Sequence, residues 1–267
     1  MRGPDVRLRS LLTTVAWLLL GWTSASAADE ERWAAPFGGT FNANFTFATD
    51  YSFAGISQTK LGPAYQAGLD WRGPDMLESF PAWLYATVWG SNIDFPQTGP
   101  GVEVDVGAGV KARLVNRKLG LDIGYIRYSF IGPPQDLQFN YGDFTFNASY
   151  DFGILSVAGR LRFSPNSFGA SGQSWNKRGL VSVPLPIALS ENLRLKAYGA
   201  LGNINVERFD VYGLPGPDYW YWQAALVASA YGLDVTVAYT DTSIEPSGCG
   251  YTPYCSGRVF VSVTKAF

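Results

Sequence analysis

One stretch decides the fold: Val102-Glu103-Val104-Asp105-Val106-Gly107-Ala108-Gly109-Val110-Lys111-Ala112-Arg113-Leu114. Valine, alanine and leucine occupy every second position of this stretch, and all of its charged side chains fall on the positions between them. A β-strand turns successive side chains to opposite faces, so the pattern gives one apolar face and one polar face. A helix would scatter the same residues around its circumference. The stretch therefore predicts a long strand that separates an apolar from a polar environment.

The same alternation recurs along the chain in segments of about ten residues. Phe41, Phe45 and Phe47, for example, share one face of the segment 40–49, while asparagine and threonine lie on the other. No segment shows a convincing helical stripe. The pattern predicts about twelve strands, at approximately 40–49, 62–71, 82–93, 101–114, 119–130, 141–152, 153–164, 175–186, 192–204, 219–231, 232–243 and 257–267.

The connections between these strands alternate in length. Short links are predicted at 115–118, 151–153, 187–191 and 231–233, and longer links at 94–100, 131–140, 164–174, 205–218 and 244–256. Bacterial outer-membrane barrels show this asymmetry, with short periplasmic turns and longer external loops. The link 72–81 is the exception, because it is long where a short turn is expected. The sequence therefore predicts an all-β fold, a closed antiparallel transmembrane β-barrel of about 12 strands with both termini at the short-turn end.

The composition supports the same fold class. Charged residues make up 16% of the chain, against about 25% in ordinary soluble domains, and aromatic residues make up 15%. Mean hydropathy is close to zero, at +0.01. Strands that show lipid on one face and water on the other produce such an average without long apolar runs.

The first segment has the layout of a secretory signal peptide. Arg2, Arg7 and Arg9 precede a short apolar run, and the small residues Ala25-Ser26-Ala27 form a cleavage site. We therefore expect residues 1–27 to be removed and residues 28–267 to form the barrel. Without the segment, the chain carries 17 basic and 21 acidic residues. No cluster of basic residues indicates a nucleic-acid partner.

Two residue types limit the chemistry of the chain. Cys249 and Cys255 are the only cysteines, and in an exported protein such a pair predicts a disulfide rather than a metal site. The chain has no histidine, which removes the usual general base of barrel hydrolases. Chemistry by carboxylates alone remains open, but no spacing singles out a pair. We expect no enzymatic activity, no cofactor and no metal.

The polar faces of the predicted strands carry candidate pore-lining charges. Two groups on roughly opposing walls would set a transverse field across the lumen, whereas mutual pairing of the charges would plug it. The acidic group comes from the second, fourth and fifth predicted strands, and the basic group from the seventh to the ninth: Asp70, Glu103, Asp105 and Asp122, facing Arg160, Arg162, Arg178, Arg194 and Lys196. Lys111 and Arg113, on the acidic side, dilute this separation.

The end of the chain and its aromatic residues also fit a barrel. Phe267 closes the last predicted strand, and a terminal aromatic residue is typical of the signal by which barrels are recognised for insertion. Tryptophan and tyrosine near strand ends suit the aromatic girdles of the membrane interface. The residues assigned to these girdles are Trp71, Trp83, Trp89, Tyr125, Tyr128, Trp175, Trp220 and Trp222.

Several stretches resemble the TorF family of porins. The resemblance is carried by Thr49-Asp50-Tyr51-Ser52-Phe53-Ala54-Gly55-Ile56-Ser57-Gln58-Thr59 followed by Pro63-Ala64 and Gln66-Ala67-Gly68-Leu69-Asp70, by 89–95, by 103–105, by 164–169 and by 261–267. It spans the mature chain and is densest from about 45 to 105. The family commonly has arginine where this chain has Ala54, so any pore-mouth role of that arginine is missing here. The resemblance implies an outer-membrane barrel with a transport role and does not imply a substrate.

Together these patterns predict a porin-like channel for passive diffusion of small polar solutes or ions, in the outer membrane of a Gram-negative bacterium. The alternative is an outer-membrane barrel that is not a channel and has a structural, adhesive or ligand-binding role. The expected partners are outer-membrane lipids, the barrel-assembly machinery and the solutes themselves. The sequence does not distinguish a monomer from a homo-oligomer.

Overall fold

A computed structural model describes residues 38–77, 80–96, 98–187 and 192–267, so the predicted signal peptide lies outside the described residues. Fourteen strands and one short helix are labelled in chain order: β1 Thr40–Ala48, β2 Ser52–Phe53, β3 Ile56–Ser57, β4 Ala64–Leu77, β5 Phe80–Phe95, β6 Gly99–Leu114, β7 Leu119–Ile131, β8 Tyr141–Asp151, β9 Ser156–Ser164, β10 Ser174–Leu185, β11 Arg194–Val206, α1 Phe209–Tyr212, β12 Asp218–Ala230, β13 Leu233–Thr242 and β14 Arg258–Ala266. Short 3₁₀ turns occupy Gln135–Leu137, Phe168–Ala170, Pro246–Cys249 and Pro253–Cys255.

Twelve of these strands form one closed antiparallel barrel, in the ring order β1-β4-β5-β6-β7-β8-β9-β10-β11-β12-β13-β14. Each strand pairs with its neighbours along the chain, and β1 pairs with β14 to close the ring. The predicted all-β closed barrel is therefore confirmed. Within the described ranges, no helix is both long and apolar enough to cross a membrane.

The alternation in β6 has the predicted effect on exposure. Val106 points outward and is 51% exposed, whereas its neighbour Asp105 points inward and is 1% exposed. The same contrast repeats around the ring, so the outer wall is apolar and the inner wall is largely polar. A barrel in lipid requires this distribution, because its outer face meets hydrocarbon.

The short-turn end contains the tight links predicted near 115–118, 151–153 and 231–233, whereas most of the predicted link 187–191 lies outside the described residues. Tyr231 and Gly232 connect β12 to β13, and both have positive φ, at 52° and 71°. Two such residues form the hairpin turn whose twist matches the flanking strands. The first residue of β1, Thr40, and the last residue of β14, Ala266, lie at this same end of the barrel.

Two predicted connections are wrong. The link 72–81 is mostly strand, because β4 continues to Leu77 and β5 begins at Phe80. Register shifts after Arg72 and Asp75 interrupt the alternation there, which hides the strand from a period-two pattern. The predicted long link 94–100 is short, because Pro100 and Gly101 pair with β5 although they read as turn residues.

The seam between β1 and β14 includes the terminal residue. The hydroxyls of Thr46 and Thr264 are 2.8 Å apart across it. The Phe267 N–H donates to the Ala43 carbonyl at 2.9 Å, and the Ala43 N–H donates to the Phe267 carbonyl at 3.3 Å. Phe267 thus extends the closing strand pair, and its ring is 66% exposed. Its role as an insertion signal stays a prediction.

The predicted disulfide is confirmed. Cys249 and Cys255 are bonded within the loop that joins β13 to β14. The bond joins the last residues of two 3₁₀ turns, Pro246–Cys249 and Pro253–Cys255, at the long-loop end of the barrel.

Candidate functional site: the barrel interior and its mouth

The barrel interior is the candidate site, and its polar side chains come from most strands of the ring. These side chains are buried although they are hydrophilic, because the wall covers them on one side and neighbouring inward-facing side chains cover them on the other. The uncharged members of this inner surface include Thr46, Gln66, Asn147, Asn176, Gln223 and Thr240. Such a lining suits water or polar solutes rather than apolar ligands.

One charged group of the interior contains its own counter-ion. Lys111 Nζ lies 3.9 Å from Asp122 Oδ2, and the Tyr85 hydroxyl donates to Asp122 Oδ1 at 3.0 Å. Lys111 also sits over the Tyr85 ring, 4.2 Å from its centroid. Asp70, on the inner face of β4, interacts electrostatically with the same lysine. Asp70 and Asp122 therefore face inward as predicted, but one buried lysine interacts with both and offsets part of their negative charge.

A second group, here called the interior charge cluster, consists of Glu103, Asp105, Asp143, Arg160 and Arg162. Glu103 and Asp105 lie on β6, and the two arginines lie on β9. Arg162 interacts electrostatically with all three carboxylates. Opposite charges thus share one part of the interior. Because these buried groups are largely excluded from bulk water, their electrostatic interaction is stronger than it would be in water.

Asp143 was missing from the predicted set. It lies on β8, is 5% exposed and belongs to the same inner face as Asn147. The alternation that places Phe144 and Phe146 on the outer wall would have placed Asp143 inside. The sequence therefore contained the signal for an inward-facing Asp143, which lies two residues after Tyr141, the first residue of β8.

The ring order corrects the prediction of opposing walls. Asp70 on β4 and Arg178 on β10 stand on opposite sides of the ring, as predicted. The acidic residues of β6 and the arginines of β9, however, are separated by β7 and β8 alone. Any transverse field from the interior charge cluster therefore acts along one arc of the wall.

Arg178 pairs in register with Arg160 of the interior charge cluster, whereas Lys196 and Arg194 lie in other environments. Arg178 donates from Nη2 to the Gln223 Oε1 at 3.2 Å, which links β10 to β12 across the interior. Lys196 is half-buried and interacts electrostatically with Asp234. Arg194, the first residue of β11, is exposed at the short-turn rim. Arg194 and Lys196 are thus separate from the interior charge cluster.

The long-loop end of the interior, here called the mouth, is filled by aromatic side chains. Two apolar clusters meet there. The first comes from β5, β7 and β8 and includes Trp89, Tyr128 and Phe130; the second comes from β11 and β12 and includes Ile204 and Tyr221. The predicted girdle is therefore wrong for Trp89 and Tyr128, which are buried inside. Period-two alternation explains this, because both residues share a face with polar residues of their strands.

Loop L1, residues 49–63, enters this mouth. Its short strands β2 and β3 form a hairpin, which the sequence pattern did not predict because each is only two residues long. Gly55, at the tip, packs against the inner faces of β12 and β13. A Cβ on Gly55 would lie 2.4 Å from the Thr242 Cγ2, and φ of this residue is +84°. The close approach and the positive φ both call for glycine.

Tyr51 anchors the base of this hairpin to the interior. Its ring packs against Trp89, with centroids 5.6 Å apart, and its hydroxyl forms a hydrogen bond with Glu103. Burial raises the pKa of Tyr51 well above its usual range, and the nearby charges of Glu103 and Asp105 raise it further. The hydroxyl therefore stays protonated at neutral pH and can donate to the carboxylate.

The fold and this polar interior together define a porin-like β-barrel. The chain belongs to the Gcw_chp family, described as a bacterial protein of unknown function, which it matches over residues 32–267. The resemblance to TorF porins stays a prediction. No curated protein matches the chain.

Three solved structures with similar folds are a porin, an outer-membrane channel and LpxR. The KdgM porin aligns with a TM-score of 0.50 and 11% identity, covering 85% of this chain and 99% of the porin. An outer-membrane channel from Pseudomonas putida F1 gives a TM-score of 0.49 and 10% identity, covering 90% and 100%. LpxR from Salmonella typhimurium gives 0.49 and 8%, covering 85% and 99%. At such low identity, the likeness to KdgM shows the fold alone.

Proposed function

We propose that this protein is a porin-like channel in the outer membrane of a Gram-negative bacterium, through which small polar solutes or ions diffuse passively. The observation that carries the proposal is the closed ring with an apolar outer wall and a polar, charged interior. A barrel that served only to span the membrane would have no need to bury so many unlike charges. A diffusing polar solute, in contrast, meets groups that replace part of its hydration shell.

The size of the ring is compatible with this role. Barrels of about eight strands are filled by their own side chains, whereas those of about sixteen leave an aqueous channel. Twelve strands fall between these limits, so the side chains inside decide the width of the path. We assign the selectivity of the channel to the interior charge cluster and to the residues of loop L1.

The packed mouth favours a second candidate function. If the aromatic clusters and L1 stay in place, the protein is a closed barrel with a structural, adhesive or ligand-binding role. The two candidates differ in one measurable property, which is the passage of ions through the folded barrel.

The proposal includes no enzymatic activity, because the chain has no histidine and no carboxylate pair stands out as a general acid and base. Outer-membrane lipids are the proposed partners of the apolar wall, and the barrel-assembly machinery is the proposed partner during insertion. The proposal holds for a monomer and for a homo-oligomer.

Single-channel recording in a planar bilayer tests the proposal. The refolded protein should give stepwise currents, and the reversal potential in a salt gradient should report its ion preference. The double variant Arg160→Gln/Arg162→Gln removes two positive charges from the interior, so it should shift the preference toward cations. Absence of steps from a heat-modifiable, folded barrel would contradict the channel and favour the closed barrel.

Adjacent residues on β10 provide a matched control. Arg178 faces the interior, whereas Lys177 lies on the outer wall and is exposed. Arg178→Gln should therefore change the reversal potential, and Lys177→Gln should leave it unchanged. Equal effects of the two variants would show that the ions do not pass through the interior.

A further inference from the structure

We propose that loop L1 is the size-selecting constriction of this channel, held in the mouth by an ion pair between Asp50 and Arg258. This inference rests on the proposed channel function. It assigns a role to the sequence 49–59, which stood out in the sequence but belongs to no strand of the barrel wall.

The first support is the internal structure of L1. The Gln58 N–H donates to the Tyr51 carbonyl at 2.7 Å, which closes the hairpin. The carboxylate of Asp50 accepts hydrogen bonds from the Ser57 hydroxyl at 2.5 Å and the Thr59 hydroxyl at 3.1 Å. One buried carboxylate thus organises both the outgoing and the returning strand of the loop.

The second support is the latch to the barrel wall. Arg258 Nε lies 2.6 Å from Asp50 Oδ2, and the two side chains are 11% and 5% exposed. The same guanidinium donates from Nη1 to the carbonyls of Gly55, at 2.8 Å, and Tyr254, at 3.1 Å. Arg258 is the first residue of β14. It therefore ties both the base and the tip of L1 to the strand that closes the ring.

The third support is the position of the hairpin across the mouth. Phe53 packs against both aromatic clusters, which belong to separate arcs of the ring. Ala54 and Ile56 pack against the cluster of β11 and β12. A side chain that contacts both arcs spans the opening, so the position of L1 sets the free width beside it.

A second ion pair on L1 differs from the latch in exposure. Lys60 Nζ lies 2.6 Å from Asp94 Oδ1, and both side chains are about a third exposed, at 30% and 37%. Exposed pairs contribute little, because water screens them, whereas removing one partner of a buried pair leaves an uncompensated charge. Lys60→Gln is therefore a matched control for a change at the latch.

The test combines Asp50→Asn, Arg258→Gln and Lys60→Gln with two readouts. The first readout is reaction of a Ser52→Cys thiol with a water-soluble maleimide. Ser52 is a buried residue of L1 and is close in size to cysteine, so its reactivity reports release of L1 without relying on conduction. The second is the single-channel step together with the largest neutral sugar that permeates liposomes. Heat-modifiable migration on gels selects the folded barrels, and the double variant Asp50→Asn/Arg258→Gln serves if a single variant does not fold.

We expect both latch variants to increase thiol reactivity, the current step and the size limit for sugars, with Lys60→Gln unchanged. If L1 is released and the step and size limit stay at the wild-type values, L1 is not the constriction. If the thiol stays unreactive in the latch variants, the ion pair is not the latch. If no variant conducts although L1 is released, the proposed channel function fails, and the size-selecting role with it.

Discussion

The wall and the mouth of this barrel are held together by different kinds of contact. In the wall, each strand pairs with a neighbour along the chain, and the alternation of apolar and polar residues decides which side chains face lipid. In the mouth, L1 is held by contacts between residues far apart in sequence, such as Asp50 and Arg258. The wall can therefore be predicted from a local sequence pattern, whereas the aperture depends on long-range contacts.

The charged groups of the interior also differ between the short-turn end and the mouth in how they find their partners. Lower in the interior, Lys111 and Asp122 come from neighbouring strands that pair directly. Towards the mouth, Arg162 of β9 acts on Asp143 of the adjacent β8 and also on Glu103, which lies three strands away on β6. Pairing across one ladder follows from register, but interaction across the interior depends on how side chains fill the lumen.

The largest expected effect comes from a charge on the outer wall. Val106→Arg should prevent or strongly reduce insertion, because an arginine at lipid depth costs about 2–4 kcal/mol near the bilayer midplane. The measurement is the folded fraction in lipid vesicles over a urea titration. Val106→Leu is the control and should insert like the wild type. An arginine variant with unchanged stability would show that this face does not meet lipid.

An intermediate effect is expected in the mouth. Gly55→Val should displace the L1 hairpin, because the added Cβ meets Thr242 and the positive φ disfavours a β-branched residue. The barrel itself should still insert and resist heat. Limited proteolysis would then cut L1 while the wall stays intact. Gly216→Ala, at a position where a Cβ meets open space, is the control. Resistance of L1 in the valine variant would contradict its packed position.

The smallest effect is expected at the exposed ion pair of L1. Lys60→Gln should change the free energy of unfolding by less than about 1 kcal/mol, because solvent screens the pair. A urea titration followed by tryptophan fluorescence measures this change. A loss much larger than that would show that Lys60 contributes to the latch.

Most of the wall could be predicted from the sequence. The twelve barrel strands follow from period-two alternation, and Cys249 and Cys255 follow from the composition and the expected export. The extension of β4 beyond Arg72 could not be predicted, because the register shifts break the alternation. The alternation of inward and outward residues would have placed Trp89 inside the barrel, but its aromatic character suggested the membrane interface instead.

The mouth could be predicted far less well. The sequence 49–59 stood out as a motif, yet its hairpin strands have only two residues each, and its contact with Arg258 joins residues more than two hundred positions apart. Neither alternation nor composition encodes such a contact. The charges of the interior were found on the correct faces, but their distribution around the ring required the closed barrel.

Cysteine labelling tests most directly whether the interior of the barrel is the conducting path. The two native cysteines are bonded to each other, so an introduced cysteine supplies a single reactive thiol. Asn147→Cys would place that thiol on the inner wall, and Phe146→Cys would place it on the outer wall. A charged, water-soluble thiol reagent should lower the single-channel current of Asn147→Cys and leave that of Phe146→Cys unchanged. No current, or equal sensitivity of the two variants, would contradict the account.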